Sequence, residues 1–151
     1  MIQVLRVSAG GLEFAIELAL VRGIERPIRW ARLPWSPDYV RGVSQLAGQP
    51  VAVVDLAARL GLPDAPPQRA AGVVLIDSAE PVGLSVTGIA GVDRLDTTSL
   101  SDPGARAREA AVTGVAPDGT ILLVGEALVD GRSLRPLLEA LPDLDPEGGE
   151  A

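Results

Sequence analysis

Four carboxylates sit where an apolar run ends or a turn begins: Asp55 behind Val51 to Val54, Asp77 behind Val73 to Ile76, Asp93 within Ile89 to Leu95, and Asp118 in Pro117-Asp118-Gly119-Thr120. Two such groups within reach of one bond could divide general acid and general base work between them. Their spacing pairs none of them, and each has a competing duty as a helix cap, a strand end or a turn residue. The remaining catalytic repertoire is closed by absence. The chain has no Cys, no His and no Lys, and all 13 basic residues are arginine. Thiolate and imidazole chemistry, disulfides, zinc sites of the usual nitrogen and sulfur type, phosphate-loop lysines and Schiff bases are therefore ruled out. Carboxylates alone could hold calcium or magnesium, but no EF-hand spacing occurs. The residues point to a protein with no catalytic group, no metal and no cofactor.

The other stretch with chemical character is RGIERPIRWARLPW, residues 22 to 35, which carries four arginines, one glutamate and two tryptophans. Arginine and tryptophan dominate interface hot spots, so this is a candidate partner surface. The simpler expectation is that arginine stems cover a barrel while the tryptophans fill its core. Nucleic acid fits poorly. Only one Tyr and one Phe accompany the tryptophans as stacking groups, and the net charge is −7. The last ten residues, PDLDPEGGEA, hold four of the acids and no arginine, so residues 142 to 151 read as an acidic disordered tail. The body is nearly neutral.

These groups must be positioned by a fold that 151 residues, 47% of them hydrophobic, are long enough to build around a substantial core. Ile2 to Ser8 reads as a strand. Leu12, Phe14, Ile16 and Leu18 alternate with Glu13, Ala15 and Glu17, the period of a strand with one wet face, and Ala9-Gly10-Gly11 joins the two as a hairpin. Residues 22 to 35, broken by Pro27 and Pro34, read as irregular with a short extended piece. Ser36-Pro37-Asp38 reads as a helix start that Gly42 would stop. Val43 to Leu46 and Val51 to Val54 are strands. Asp55 is placed to cap the short helix Leu56 to Leu62, which Gly61 ends. The Pro-rich residues 63 to 72 form a connector. Strands follow at Val73 to Ile76, Val82 to Val86, Ile89 to Leu95, Val112 to Val115 and Ile121 to Val124, and Ser133 to Leu141 reads as a leucine-faced helix. Some ten short strands with few helices give an all-β fold, with no strong repeat between its halves. No apolar run reaches the roughly 20 residues of a membrane helix, and the N-terminus lacks a signal peptide, so the expected location is cytoplasmic without direct membrane insertion.

The order of these landmarks resembles the CheW family of bacterial chemotaxis coupling proteins. LEFAIEL, YVRGVSQLAGQPVAVVDLAARLGL, VVLID, VGLSVTGIAGV and TGVAPDGTILLV carry the resemblance, which spans residues 2 to 141. It implies two five-stranded SH3-like β-barrels intertwined around a shared core, with no active site. It also implies an adaptor that bridges a CheA-like histidine kinase regulatory domain and the coiled-coil tip of a methyl-accepting chemoreceptor, recruited to membrane receptor arrays. One departure stands out. The family usually reads Asn-Leu-Arg-Gly where this chain has Gln45-Leu46-Ala47-Gly48, so the arginine associated with receptor contact is Ala47 here. That makes an adaptor of another pathway, such as twitching or surface sensing, the alternative; a nucleic-acid-binding barrel is a more distant one. The candidate partner-binding residues are Val21, Ile24, Arg41, Gly42, Val43, Gln45, Ala47 and Gly48, with Asp55 as a structural cap. On this reading Gly48→Arg and Val43→Asp would weaken partner binding without unfolding the chain.

Overall fold

The computed structural model describes residues 1–26, 29–32, 34, 37–46, 48–62, 70–77, 82–104 and 112–123. Strand β1 (Ile2–Ala9) turns through Gly10 and Gly11 into β2 (Leu12–Glu17). Both glycines have positive φ, 57° and 78°, which is what a tight two-residue hairpin demands of its central positions. A 3-10 turn, Leu18–Leu20, leads into β3 (Val21–Glu25). The first residues of the supposedly irregular arginine stretch are therefore strand, because β3 pairs antiparallel with β6 (Gly72–Ile76) from Val21 opposite Ile76 to Glu25 opposite Val73. The helix start expected at residues 36 to 38 is, where described, a turn: Val40 N donates to Pro37 O at 2.9 Å and the chain runs straight into β4 (Val40–Leu46). Gly42 lies inside that strand and stops nothing. Pairing with β5 (Gln49–Asp55) satisfies this backbone along seven residues, which one helical turn could not do. Helix α1 (Leu56–Arg59) follows, then β6, β7 (Val82–Val86), β8 (Gly88–Leu95), β9 (Val112–Val115) and β10 (Ile121–Leu123). Residues 63 to 69 of the connector, the helix expected at 133 to 141 and the acidic tail lie outside the described residues.

The strands form two five-stranded sheets, in the orders β3-β6-β7-β5-β4 and β8-β1-β2-β10-β9. Each curls into an SH3-like barrel, because the segment after its first edge strand crosses to the opposite edge. Ala31 bridges Val43 of β4, and Ser101 bridges Val115 of β9. The central barrel (β3 to β7) is contiguous in the chain. The split barrel takes β1 and β2 from the start and β8, β9 and β10 from the end.

The two barrels are circularly permuted copies. In each, one pair of strands is parallel (β5 with β7, β10 with β2) and the other neighbours are antiparallel. The register carries over residue by residue: Gly42 opposite Val53 matches Gly114 opposite Leu122, and Gly23 opposite Leu75 matches Gly91 opposite Arg6. Arg22, Arg41, Ala90 and Thr113 are skipped by the ladders at matching places, so each is a bulge. A sequence signal does accompany this repeat. Val21-Arg22-Gly23-Ile24, Val40-Arg41-Gly42-Val43, Ile89-Ala90-Gly91-Val92 and Val112-Thr113-Gly114-Val115 share one pattern, a β-branched residue, the bulge, a glycine and another β-branched residue.

Strand alternation divides the apolar side chains among three cores. Val51, Val53, Val73 and Leu75 fill the central barrel with Trp30, while Val4, Ala15, Leu95 and Leu122 fill the split barrel. Their alternate neighbours, including Ala52, Val54, Val74, Ile76, Leu5, Val7, Phe14 and Ile16, form the larger core between the barrels. That is why Val73 to Ile76 is an unbroken apolar run. It also corrects the wet face expected for β2: Ala15 is wholly buried inside the split barrel.

Candidate interaction surface

The candidate residues cluster on the central barrel, around the segment that closes it. Residues 29 to 32 are strapped over β4 by Ala31 N to Val43 O at 2.9 Å, Val43 N to Ala31 O at 3.0 Å and Ser44 Oγ to Arg29 O at 2.6 Å. Trp30 points in and is 3% exposed, while Arg29 and Arg32 are exposed on either side of it. Trp35 lies outside the described residues.

Arg41, at the β4 bulge, ties this strap to β5. Its Nη2 donates to Asp55 Oδ2 at 3.0 Å, and its guanidinium carbon lies 5.5 Å from the Trp30 ring centroid. Asp55 serves two partners: Oδ1 accepts from Ala58 N at 3.3 Å at the start of α1, and the other oxygen holds Arg41. Arg41 is thus committed within the fold.

The sequence-derived residues separate into three groups. Gly42 and Val43 are interior. A Cβ on Gly42 would lie 2.3 Å from Ala31 O, so this glycine exists to let the strap approach, and Val43 has no exposed surface. Neither can touch a partner, and Val43→Asp would strike the fold itself, because a buried unpaired carboxylate is costly. Val21 is half-buried against the shared core, and Ile24 is 48% exposed. Ile24 and Ile89 of β8 both come within 4 Å of the point where a Gly72 Cβ would stand, which puts Ile24 at the seam between the barrels. Gln45 and Gly48 lie at the tip of the β4–β5 hairpin, where Gly48 is exposed with φ 79° and open space around it. Ala47 lies outside the described residues.

One group that the sequence did not single out joins seam and tip. Arg22, the bulged residue of β3, lines a hollow of about 10 Å³, room for a single water, with Leu46, Gln49, Val51, Leu75 and Val82. The bulge is the signal that could have found it, since the pattern it shares with three other places marks position 22 as extra to the ladder. Charge is divided as well. Among the described residues the central barrel carries six arginines against four acids, and the split barrel two arginines against six acids. In the split barrel Arg6 donates to Asp93 at 2.8 Å and to Thr120 Oγ1 at 2.8 Å, with Asp118 at 3.5 Å. The Arg94 backbone N–H and then Arg6 hold the Asp93 carboxyl below the usual carboxylate range, and the Thr120 backbone N–H and hydroxyl do the same for Asp118. Among the described residues no three carboxylates gather as a metal site, and no helix is long and apolar enough to cross a membrane.

Residues 3–130 match the family model described as CheW-like domain. The chain belongs to the CheW-like domain family. A stretch of 58 residues is 40% identical to a probable chemotaxis protein CheW of Rhizobium etli, taking in 38% of this chain and 37% of that relative's length. The fold of this CheW-like chain is similar to the crystal structure of the scaffolding protein TtCheW from Thermoanaerobacter tengcongensis, with a TM-score of 0.73, 20% identity and coverage of 86% of this chain and 90% of that one. The two barrels described above are thus the fold of its family, and what distinguishes this CheW-like chain is what stands on their surface.

Proposed function

We propose that this chain is a non-catalytic adaptor of chemotaxis-type signalling, one that bridges the regulatory domain of a CheA-like histidine kinase and the coiled-coil tip of a chemoreceptor. The family match over residues 3–130 carries the reading. The naming of one relative as a probable chemotaxis protein and of a structural neighbour as a scaffolding protein is in keeping with it. The chemistry agrees: the surface offers shape, charge and exposed apolar groups. Specific docking of this kind needs roughly 800 Å² on each partner, and weak contacts gain strength when many are held in one array. The receptor-facing residues of this proposal are Val21, Ile24, Gln45, Ala47 and Gly48, with Gly42 and Val43 shaping the surface from beneath and Arg41 bracing it.

The test is a titration of the purified chain with the source organism's kinase regulatory domain and with receptor-tip fragments, followed by size-exclusion chromatography of the three together. A ternary complex is expected. Binding to only one of the two would end the bridging reading. The Gln45-Leu46-Ala47-Gly48 departure favours a second reading, the same scaffold in a twitching or surface-sensing pathway, and the kinase and receptor of such a pathway, run in the same assay, decide between them.

A further inference from the structure

We propose that Arg22 is the charged anchor of the docking surface, pairing with a carboxylate on an acidic amphipathic helix whose apolar flank lies over Ile24. The inference deepens the bridging reading and rests on it, by naming the group that grips the receptor-like partner. Four observations lead there. Arg22 is exposed and, among the described residues, has no hydrogen-bond or ion-pair partner, whereas Arg6 and Arg41 are engaged with Asp93 and Asp55. Its place in the fold does not call for arginine, because the equivalent bulge of the split barrel is filled by Ala90 with the same register around it. An internal copy of the barrel thus supplies the control: the architecture needs a residue here, and alanine suffices.

The third observation is the setting. Arg22 lines, with Leu46, Gln49, Val51 and Leu75, a hollow too small to admit a side chain, so a carboxylate meeting it stays at the surface and is held by the planar, bidentate fork of the guanidinium. Ile24, two residues along the same strand, leaves 48% of its surface open to an apolar side chain. The fourth is the field. Among the described residues, six arginines against four acids on the central barrel, beside two against six on the split barrel, favour the approach of an acidic partner to the central barrel.

The experiment titrates the full chain with a receptor-tip coiled-coil fragment, at low and at high salt, and with the kinase regulatory domain as a parallel arm. Arg22→Ala is expected to weaken receptor-tip binding about tenfold or more and to reduce its salt dependence, with thermal unfolding and kinase binding unchanged. Arg22→Lys keeps the charge without the planar fork and is expected to recover part of the loss. Ala47→Arg placed in the Arg22→Ala chain returns the arginine that the family resemblance associates with receptor contact and is expected to restore affinity to within about threefold. If the folded Arg22→Ala chain binds the receptor tip within about twofold of wild type, the anchor is elsewhere and the bridging reading survives. If it loses kinase binding instead, the partner is misassigned. If the wild-type chain binds no receptor-tip fragment, the bridging reading fails and takes this inference with it.

Discussion

Gly42→Ala isolates the contact that closes the central barrel. The added methyl would sit 2.3 Å from Ala31 O and 3.0 Å from Trp30 Cδ1. The oxygen belongs to backbone, so no side-chain rotation relieves the clash and the strap must lift. Lifting breaks both Ala31–Val43 hydrogen bonds, each worth about 1 kcal/mol net. It also loosens Trp30, whose complete removal from a core would cost about 3–5 kcal/mol, so partial displacement brings the expected loss to about 2–4 kcal/mol. For a chain of this length that lowers Tm by about 5–15 °C. Gly114→Ala is the matched comparison. There the methyl would meet Leu100, 2.9 Å from its Cβ, which moves only with its own backbone, but the overlap is smaller than the 2.3 Å approach to a carbonyl oxygen at Gly42, so a loss of about 1–2 kcal/mol is expected. Urea unfolding followed by circular dichroism and tryptophan fluorescence reads both. A Gly42→Ala chain within about 0.5 kcal/mol of wild type, or no worse than Gly114→Ala, would refute the assignment of this glycine to strap closure.

Val43→Asp is expected to abolish the cooperative unfolding transition, since a carboxylate at a position with no exposure costs more than about 4 kcal/mol; a soluble variant with a normal melt would contradict the buried placement. Gly48→Arg should retain the fold, with a φ of 79° adding about 1 kcal/mol of strain, yet weaken receptor-tip binding in the titration assay. Asp55→Ala removes a cap and the partner of Arg41 and should cost about 1–2 kcal/mol, with Asp55→Asn, which can still cap, losing roughly half of that in urea unfolding. Asp93 and Asp118 have folded pKa values below their unfolded ones, so what they contribute is present above the unfolded value and lost as pH falls through the folded one. Stability should therefore decline below about pH 4, and the Asp93→Asn, Asp118→Asn double variant should show a shallower acid limb in unfolding midpoints taken from neutral to acid pH.

Most of the strand inventory was legible because barrel strands alternate and turns are marked by glycine. The opening hairpin, β5, β6 and the Asp55 boundary all follow from local pattern. What escaped was non-local. β3 is a strand through its pairing with β6, some fifty residues on, and its own Arg, Gly and Glu content argues against it. Ala15 reads as solvent-facing until the split barrel supplies Leu95 and Leu122 from the far end of the chain. On the candidate surface, Val43 and Arg41 were suggested by the family resemblance, but a resemblance in sequence does not reveal which neighbour arrives first. Val43 meets the strap and Arg41 meets Asp55. Arg22 was hidden for the opposite reason, since an exposed arginine within an arginine-rich stretch gains meaning only when the bulge, the hollow and its alanine counterpart are seen together.

The division of the chain between its barrels has a consequence during synthesis. Residues 21 to 86 can assemble the central unit while the ribosome is still working, but β1 and β2, made first, must wait for β10, made last among the described strands, before their sheet is complete. Such a large sequence separation makes closure of that second sheet slow, and until then the hairpin has an unpaired edge in a crowded cell. Docked against the finished central unit through the apolar face of Leu5, Val7, Phe14 and Ile16, it would be shielded in the interval, so the shared core acts as a template in biogenesis as well as a source of stability.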